Sequence, residues 1–196
     1  MRLIVGLGNP GREYEWTPHN MGFLAIDALA ERNGIRVTRP EAKSHVGVGK
    51  IAGRDVVLAK PQTYMNLSGI AARMLLEKYE CDPAEMIVLI DEVDLPWNML
   101  RIRISGKNSS HNGMKSLLEA TGTDEFIRVR IGVKPERIWG DRKDYLLAEF
   151  SKEDRESAQQ AAVEAAEATE VIVAEGTEKA MLRYNRKVAT GEEDSE

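Results

Sequence analysis

Met86-Ile87-Val88-Leu89-Ile90 is an unbroken apolar run closed by an acid, Asp91. A strand with one wet face alternates polar and apolar residues; an uninterrupted run suits a strand covered on both faces, the usual state of a central strand in an α/β sheet. The rest of the chain agrees with that demand. Residues 2–7 read as a strand, 44–51 and 56–59 as a hairpin across Ala52-Gly53-Arg54, and 100–104 and 126–133 as alternating strands. Helical spacing marks about 20–33, with Gly34 as its stop, then 67–79, 110–120, 151–174 and 178–186. Leu67, Ile70, Ala71 and Met74 carry the period of the second of these helices, and Met65 and Met74 read as core. Helices alternate with strands without repeats or a linker. The expected fold class is therefore α/β: a single three-layer domain, a mixed twisted β-sheet with helices on both faces. It should cover residues 1–187, followed by an acidic, disordered tail over 188–196.

Composition narrows the function classes. With 42% hydrophobic and 30% charged residues the chain can bury a core, so wholesale disorder is excluded. No apolar run is long enough for a membrane span, and no signal segment is visible. One cysteine, Cys81, forms no intramolecular disulfide and suits a reducing cytosol; beside Glu80 and Asp82 it is a poor nucleophile. The net charge of −5 hides an asymmetry. Residues 97–143 hold ten Lys and Arg against five Asp and Glu, whereas 149–196 hold six against thirteen, so a basic middle can present an anion-binding face. Lys107 and Lys115 flank a helix start at Ser110-His111, where free N–H groups favour a phosphate, and Arg101, Arg103, Arg128 and Arg130 could extend that face if their strands are neighbours. A solvated sheet edge explains the same charges.

Gly6, Gly8 and Gly11 have the G-x-G-x-x-G spacing of a dinucleotide-binding turn, but Pro10 and Pro18 and the missing helical period after Gly11 speak against it. The better reading is a tight loop that carries Asn9 and delivers His19 from the start of the next helix. Four polar clusters fall at strand ends or helix starts: Asn9 with Tyr14 and His19-Asn20; Tyr64-Met65-Asn66; Asp91 with Glu92 and Asp94; and His111-Asn112. A histidine paired with an aspartate makes a general base, and amide side chains can hold a carbonyl oxygen as it gains charge. No serine or cysteine sits in a nucleophile motif, so water is the expected nucleophile and an ester or amide the expected substrate. His111 reads as a cap or phosphate contact, with a second catalytic role as the alternative. Asp91, Glu92 and Asp94 lack a companion histidine pair at ligand spacing, so no metal is expected.

The segments V-G-L-G-N-P-G-x-x-Y-x-x-T-x-H-N-x-G-F, K-P-x-T-x-M-N-x-S-G, D-E-x-D-L-P and H-N-G-x-K-S, in this order, resemble bacterial peptidyl-tRNA hydrolase over residues 1–187. The resemblance implies a monomeric, cytoplasmic, cofactor-free enzyme that cleaves the ester between peptide and tRNA, with peptidyl-tRNA as its partner and no stable protein partner. It implies His19 as the base that activates water and Asp91 as its orienting acid. Asn9 would discriminate N-blocked from free aminoacyl groups. Asn66 and Asn112 would bind the substrate's 3′ end, with Tyr14 and Tyr64 alongside. The chain departs from the family pattern at Pro18, Ile90, 105–110 and 133–135, none of them a proposed catalytic position. A catalytically silent RNA-binding relative of the same fold is the alternative.

Overall fold

The computed structural model describes residues 1–106, 110–135 and 141–185. In chain order they form β1 (Arg2–Gly6), α1 (Met21–Arg32), β2 (Arg39–Glu41), β3 (Ser44–Ile51), β4 (Arg54–Pro61), α2 (Ser68–Lys78), β5 (Met86–Pro96), β6 (Leu100–Arg103), α3 (Asn112–Thr121), β7 (Ile127–Lys134), α4 (Arg142–Leu147), α5 (Lys152–Glu175) and α6 (Thr177–Tyr184). The strands make one sheet in the order β2-β3-β4-β1-β5-β7-β6. Its centre, β4-β1-β5-β7, is parallel, and β2, β3 and β6 add antiparallel edges. The acidic segment 188–196 and Lys107 lie outside the described residues.

Successive residues of the central strands go to opposite faces. Ile4, Leu58, Ile87 and Leu89 pack with α1, α5 and α6, while Leu3, Val5, Val57 and Val88 pack with α2 and α3. That is why the run 86–90 needs no polar residue: each fully buried aliphatic side chain removes about 1.5–3 kcal/mol of unfavourable hydration. Helix α5 buries a small face, Ala158, Ala161, Ala162 and Ala165, in the core it shares with α1 and the sheet, and Ser151 caps its start by accepting from Asp154 N at 3.1 Å. The edge of β6 is closed by Asn185, whose amide donates to Ile102 O and accepts from Ile102 N.

Two expectations need correction. β5 does not stop at Ile90; it runs to Pro96, and Asp91 sits inside it, paired with Ile131 of β7. Met74 is not core: α2 buries Ser68, Gly69, Ala71, Ala72, Leu75 and Leu76 and turns Leu67, Ile70 and Met74 to solvent. The cause is close packing, because a Cβ on Gly69 would lie 2.0 Å from Ser116 O of α3, so only the small-residue face can meet that helix. Two short elements, β2 and α4, go unread in the sequence, each too short to show a period.

Candidate active site

A cleft of about 590 Å³ opens at the carboxyl ends of β1 and β5, where side chains from both halves of the parallel sheet converge. Asn9, Tyr14, His19, Tyr64, Met65, Asn66, Asp91, His111, Asn112 and Arg130 line it, so the structure brings together every polar cluster singled out by sequence. His19 lies in a 3-10 turn, Pro18–Asn20, that feeds α1, and Asn20 anchors this turn to the β1 loop. Its Oδ1 accepts from Asn9 N at 2.8 Å and its Nδ2 donates to Asn9 O at 3.0 Å.

Asp91 is buried and sits between two imidazoles. His19 Nδ1 is 3.0 Å from Oδ1 and 3.2 Å from Oδ2, His111 Nε2 is 2.8 Å from the same Oδ1, and the ring centroids are 4.8 Å apart. The hydrogen bonds assign the tautomers. His111 Nδ1 accepts from Gly113 N at 3.1 Å, capping α3, so its single ring proton is on Nε2 and is donated to Asp91. His19 donates from Nδ1, which leaves the Nε2 lone pair for the cleft. Burial pushes the Asp91 carboxyl up, but the attraction of His111 and His19 and the hydrogen bonds from both outweigh it and hold the group well below the usual carboxylate range. The double use of His111, as cap and as second donor to Asp91, is a relationship that sequence spacing does not show.

The Asn9 amide is oriented as well. Its Oδ1 accepts from the backbone N–H of Met65 at 2.8 Å, and because an N–H can only donate, Nδ2 is the group left to face substrate. Asn66 and Asn112 are exposed on the cleft wall, and Tyr14 and Tyr64 flank it. A wall that sequence reasoning missed comes from α4, which contributes Arg142, Lys143, Leu146 and Leu147. Arg142 pairs with Asp94 at 2.7 Å, and the Tyr145 hydroxyl pins the helix to Val133 O at 2.6 Å. Burial, with Asp154 and Asp91, pushes that phenol up to about 12, so it remains a donor at working pH.

The possible phosphate contacts divide. Arg101 stands opposite Arg130, and Arg103 opposite Arg128, alternate rungs either side of Ile102–Val129, which put four guanidiniums on one face. Like charges directly opposite one another are unfavourable unless an anion or a carboxylate intervenes. Arg130 has Glu92 at 2.7 Å, while Arg128 is buried, donates Nη2 to Asp124 O at 3.0 Å, and lies over the Phe126 ring. Arg103, Arg128 and Arg130 line a smaller cavity of about 180 Å³ beside the cleft. Lys115 is exposed on the first turn of α3, where one N–H is already taken by the His111 ring.

His19, Asp91 and His111 also form the one group among the described residues with a donor set for a metal. Their facing atoms, however, are joined directly by N–H···O bonds, and an ion there would have to displace both protons. The Cys81 thiol lies away from the cleft and is pushed up by burial, with Glu85 and Asp82 adding to the effect.

Comparison with known proteins gives concordant results. The family model described as peptidyl-tRNA hydrolase matches residues 3–192. The peptidyl-tRNA hydrolase of Koribacter versatilis is 49% identical over 188 residues, covering 95% of this chain and 94% of that protein. That of Alkaliphilus oremlandii is 46% identical over 94% of this chain and all of its own length. The crystal structure of peptidyl-tRNA hydrolase from Acinetobacter baumannii superimposes with a TM-score of 0.85 at 31% identity, covering 94% of both chains.

Proposed function

The chain belongs to the peptidyl-tRNA hydrolase family, and we propose that it cleaves the ester between peptide and tRNA with a water molecule activated by His19. The observation that carries this reading is the oriented pair His19–Asp91, buried at the floor of a cleft lined by amide donors. Nε2 of His19 takes a proton from water as the oxygen attacks the ester carbonyl. Asp91 stabilises the imidazolium so formed, and His111 holds the carboxylate in place. Nδ2 groups of Asn66 and Asn112 bind the 3′ end and meet the charge that develops on the carbonyl oxygen, while Asn9 reads the acylated nitrogen. His19 then returns the proton to the ribose oxygen as the C–O bond breaks, giving a free peptide acid and tRNA with its 3′ hydroxyl restored.

The arginine rungs of β6 and β7, with Lys115, are the surface proposed for tRNA phosphates. Contacts to the backbone rather than to base edges suit an enzyme that accepts many tRNAs. The reading takes the protein as a cytosolic monomer; among the described residues no helix is long and apolar enough to cross a membrane. A silent RNA-binding relative has no use for a buried base–acid pair, and the relatives matched are named hydrolases. The test compares N-acetyl-aminoacyl-tRNA with free aminoacyl-tRNA in wild type and His19→Ala. Cleavage of the blocked substrate alone, lost in the variant with tRNA binding retained, is the expected result. Binding without cleavage by wild type would replace the reading with the silent one.

A further inference from the structure

Tyr64, Leu67, Ile70 and Met74 are 59, 44, 45 and 39% exposed and follow one another at spacings of three, three and four along the turn before α2 and its outer face. Single exposed apolar residues are normal on a surface. Those elsewhere among the described residues, such as Val48, Ile104, Val163 and Leu182, sit on separate elements. The row on α2 is different: it is contiguous, and the packing of the helix does not require it, because α2 already has a complete buried face of small and apolar residues. It is also continuous with the cleft, since Tyr64 and Asn66 line the cleft wall where the row begins.

We propose that this row carries the peptide half of the substrate as it leaves the cleft; the proposal rests on the reaction assigned above. The substrate has two halves of opposite character. Its polyanionic half is matched by the guanidiniums of β6 and β7, at the edge of the sheet beyond β5. The row lies toward the other end of the sheet, on the helix that packs against α3 and reaches β1 and β4. A nascent peptide varies in sequence, so it is best held by apolar contact, which is non-directional, rather than by fixed hydrogen-bond partners. From Leu67 to Met74 a helix rises about 10 Å, the reach of about three extended residues. A blocked single amino acid stays within the cleft, whereas a blocked pentapeptide lies along the row.

The test measures KM for three substrates: N-acetyl-leucyl-tRNA and two N-acetyl-pentapeptidyl-tRNAs whose three residues farthest from the ester are leucine in one and aspartate in the other. Wild type is expected to show a KM about threefold to tenfold lower for the leucine pentapeptide than for either other substrate. Ile70→Glu should abolish that preference, and Ile70→Lys should move it toward the aspartate peptide. Three equal KM values in wild type, or a leucine preference that survives both substitutions, overturns the peptide row while leaving the reaction intact. Failure of wild type to cleave any of the three overturns the reaction itself. Concentration-dependent dimerisation in sedimentation velocity, abolished by Ile70→Glu, would give the row to a second copy of the chain instead.

Discussion

A Cβ on Gly6 would lie 2.1 Å from the carbonyl oxygen of Gly22, so β1 and the first turn of α1 touch backbone to backbone. The contact extends to β5, because a Cβ on Gly22 would lie 2.4 Å from both Leu7 N and Leu89 O. The turn that immediately precedes this contact delivers His19 to Asp91. Gly22→Ala must therefore lift α1 off the sheet or strain both strands, since neither neighbour is a flexible side chain. Overpacking of this kind costs about 1–3 kcal/mol, which lowers Tm by roughly 2–12 °C in a chain of this size. Because the displaced segment holds the base, kcat should fall along with stability. A thermal melt and a single-turnover rate check both, and a variant that melts like wild type would show that the contact is not rigid.

Asp91→Asn tests the shared carboxylate. Two imidazole N–H groups converge on Asp91 Oδ1, with Oδ2 also within 3.2 Å of His19 Nδ1. An asparagine that keeps its oxygen at Oδ1 still accepts from both rings, but it places an NH2 where Oδ2 stood, facing His19 Nδ1, and it carries no negative charge. The NH2 now facing His19 Nδ1–H disturbs the orientation of that ring, whereas His111 stays tied to Gly113 N, and a neutral amide does not stabilise the imidazolium that forms on proton uptake. The expected loss in kcat is on the order of 10³–10⁴, with tRNA affinity nearly unchanged. A kcat reduced less than tenfold would remove Asp91 from the mechanism.

The sheet and its central helices are legible in the chain because each buried face is long enough to display a period. Ile87 and Leu89 face one layer and Ile90 and Val88 the other, and nothing polar interrupts them before Asp91. The polar clusters are legible because strand ends and helix starts are where a parallel sheet collects side chains. Two features are not. α4 has six residues and its place depends on Tyr145 reaching Val133 and Arg142 reaching Asp94, contacts far apart in the chain. The outward turn of Leu67, Ile70 and Met74 is hidden because hydrophobic spacing identifies an apolar face but not which face packs; the need for Gly69 to meet Ser116 decides that.

Arg103→Ala separates phosphate binding from folding. Arg103 is exposed and stands opposite the buried Arg128. Its removal should leave the melt within about 0.5 kcal/mol of wild type, as surface substitutions do. Binding of uncharged tRNA should weaken, and the slope of log K against log salt should flatten by about 0.9 if the lost contact is to a duplex phosphate. Arg128→Ala is expected to weaken binding and stability together, since its guanidinium also ties Asp124 O and covers Phe126. An unchanged salt slope in Arg103→Ala would return these arginines to the role of a solvated sheet edge.

The pH dependence of stability and of rate should come apart. The Asp91 carboxyl is held below its unfolded value of about 3.9 by the two imidazoles despite burial. In the window between the folded and unfolded values the unfolded chain binds more protons, so stability rises with pH there. The contribution is complete above about pH 5 and drains away as pH falls toward the folded value. Asp91→Asn removes this dependence, and its urea midpoint should change less than that of wild type between about pH 5 and pH 3. Asp91 stays ionised throughout the working range, so its titration leaves no inflection in kcat/KM there. An Asp91→Asn urea midpoint that varies with pH as steeply as that of wild type would assign the acid dependence to other carboxylates.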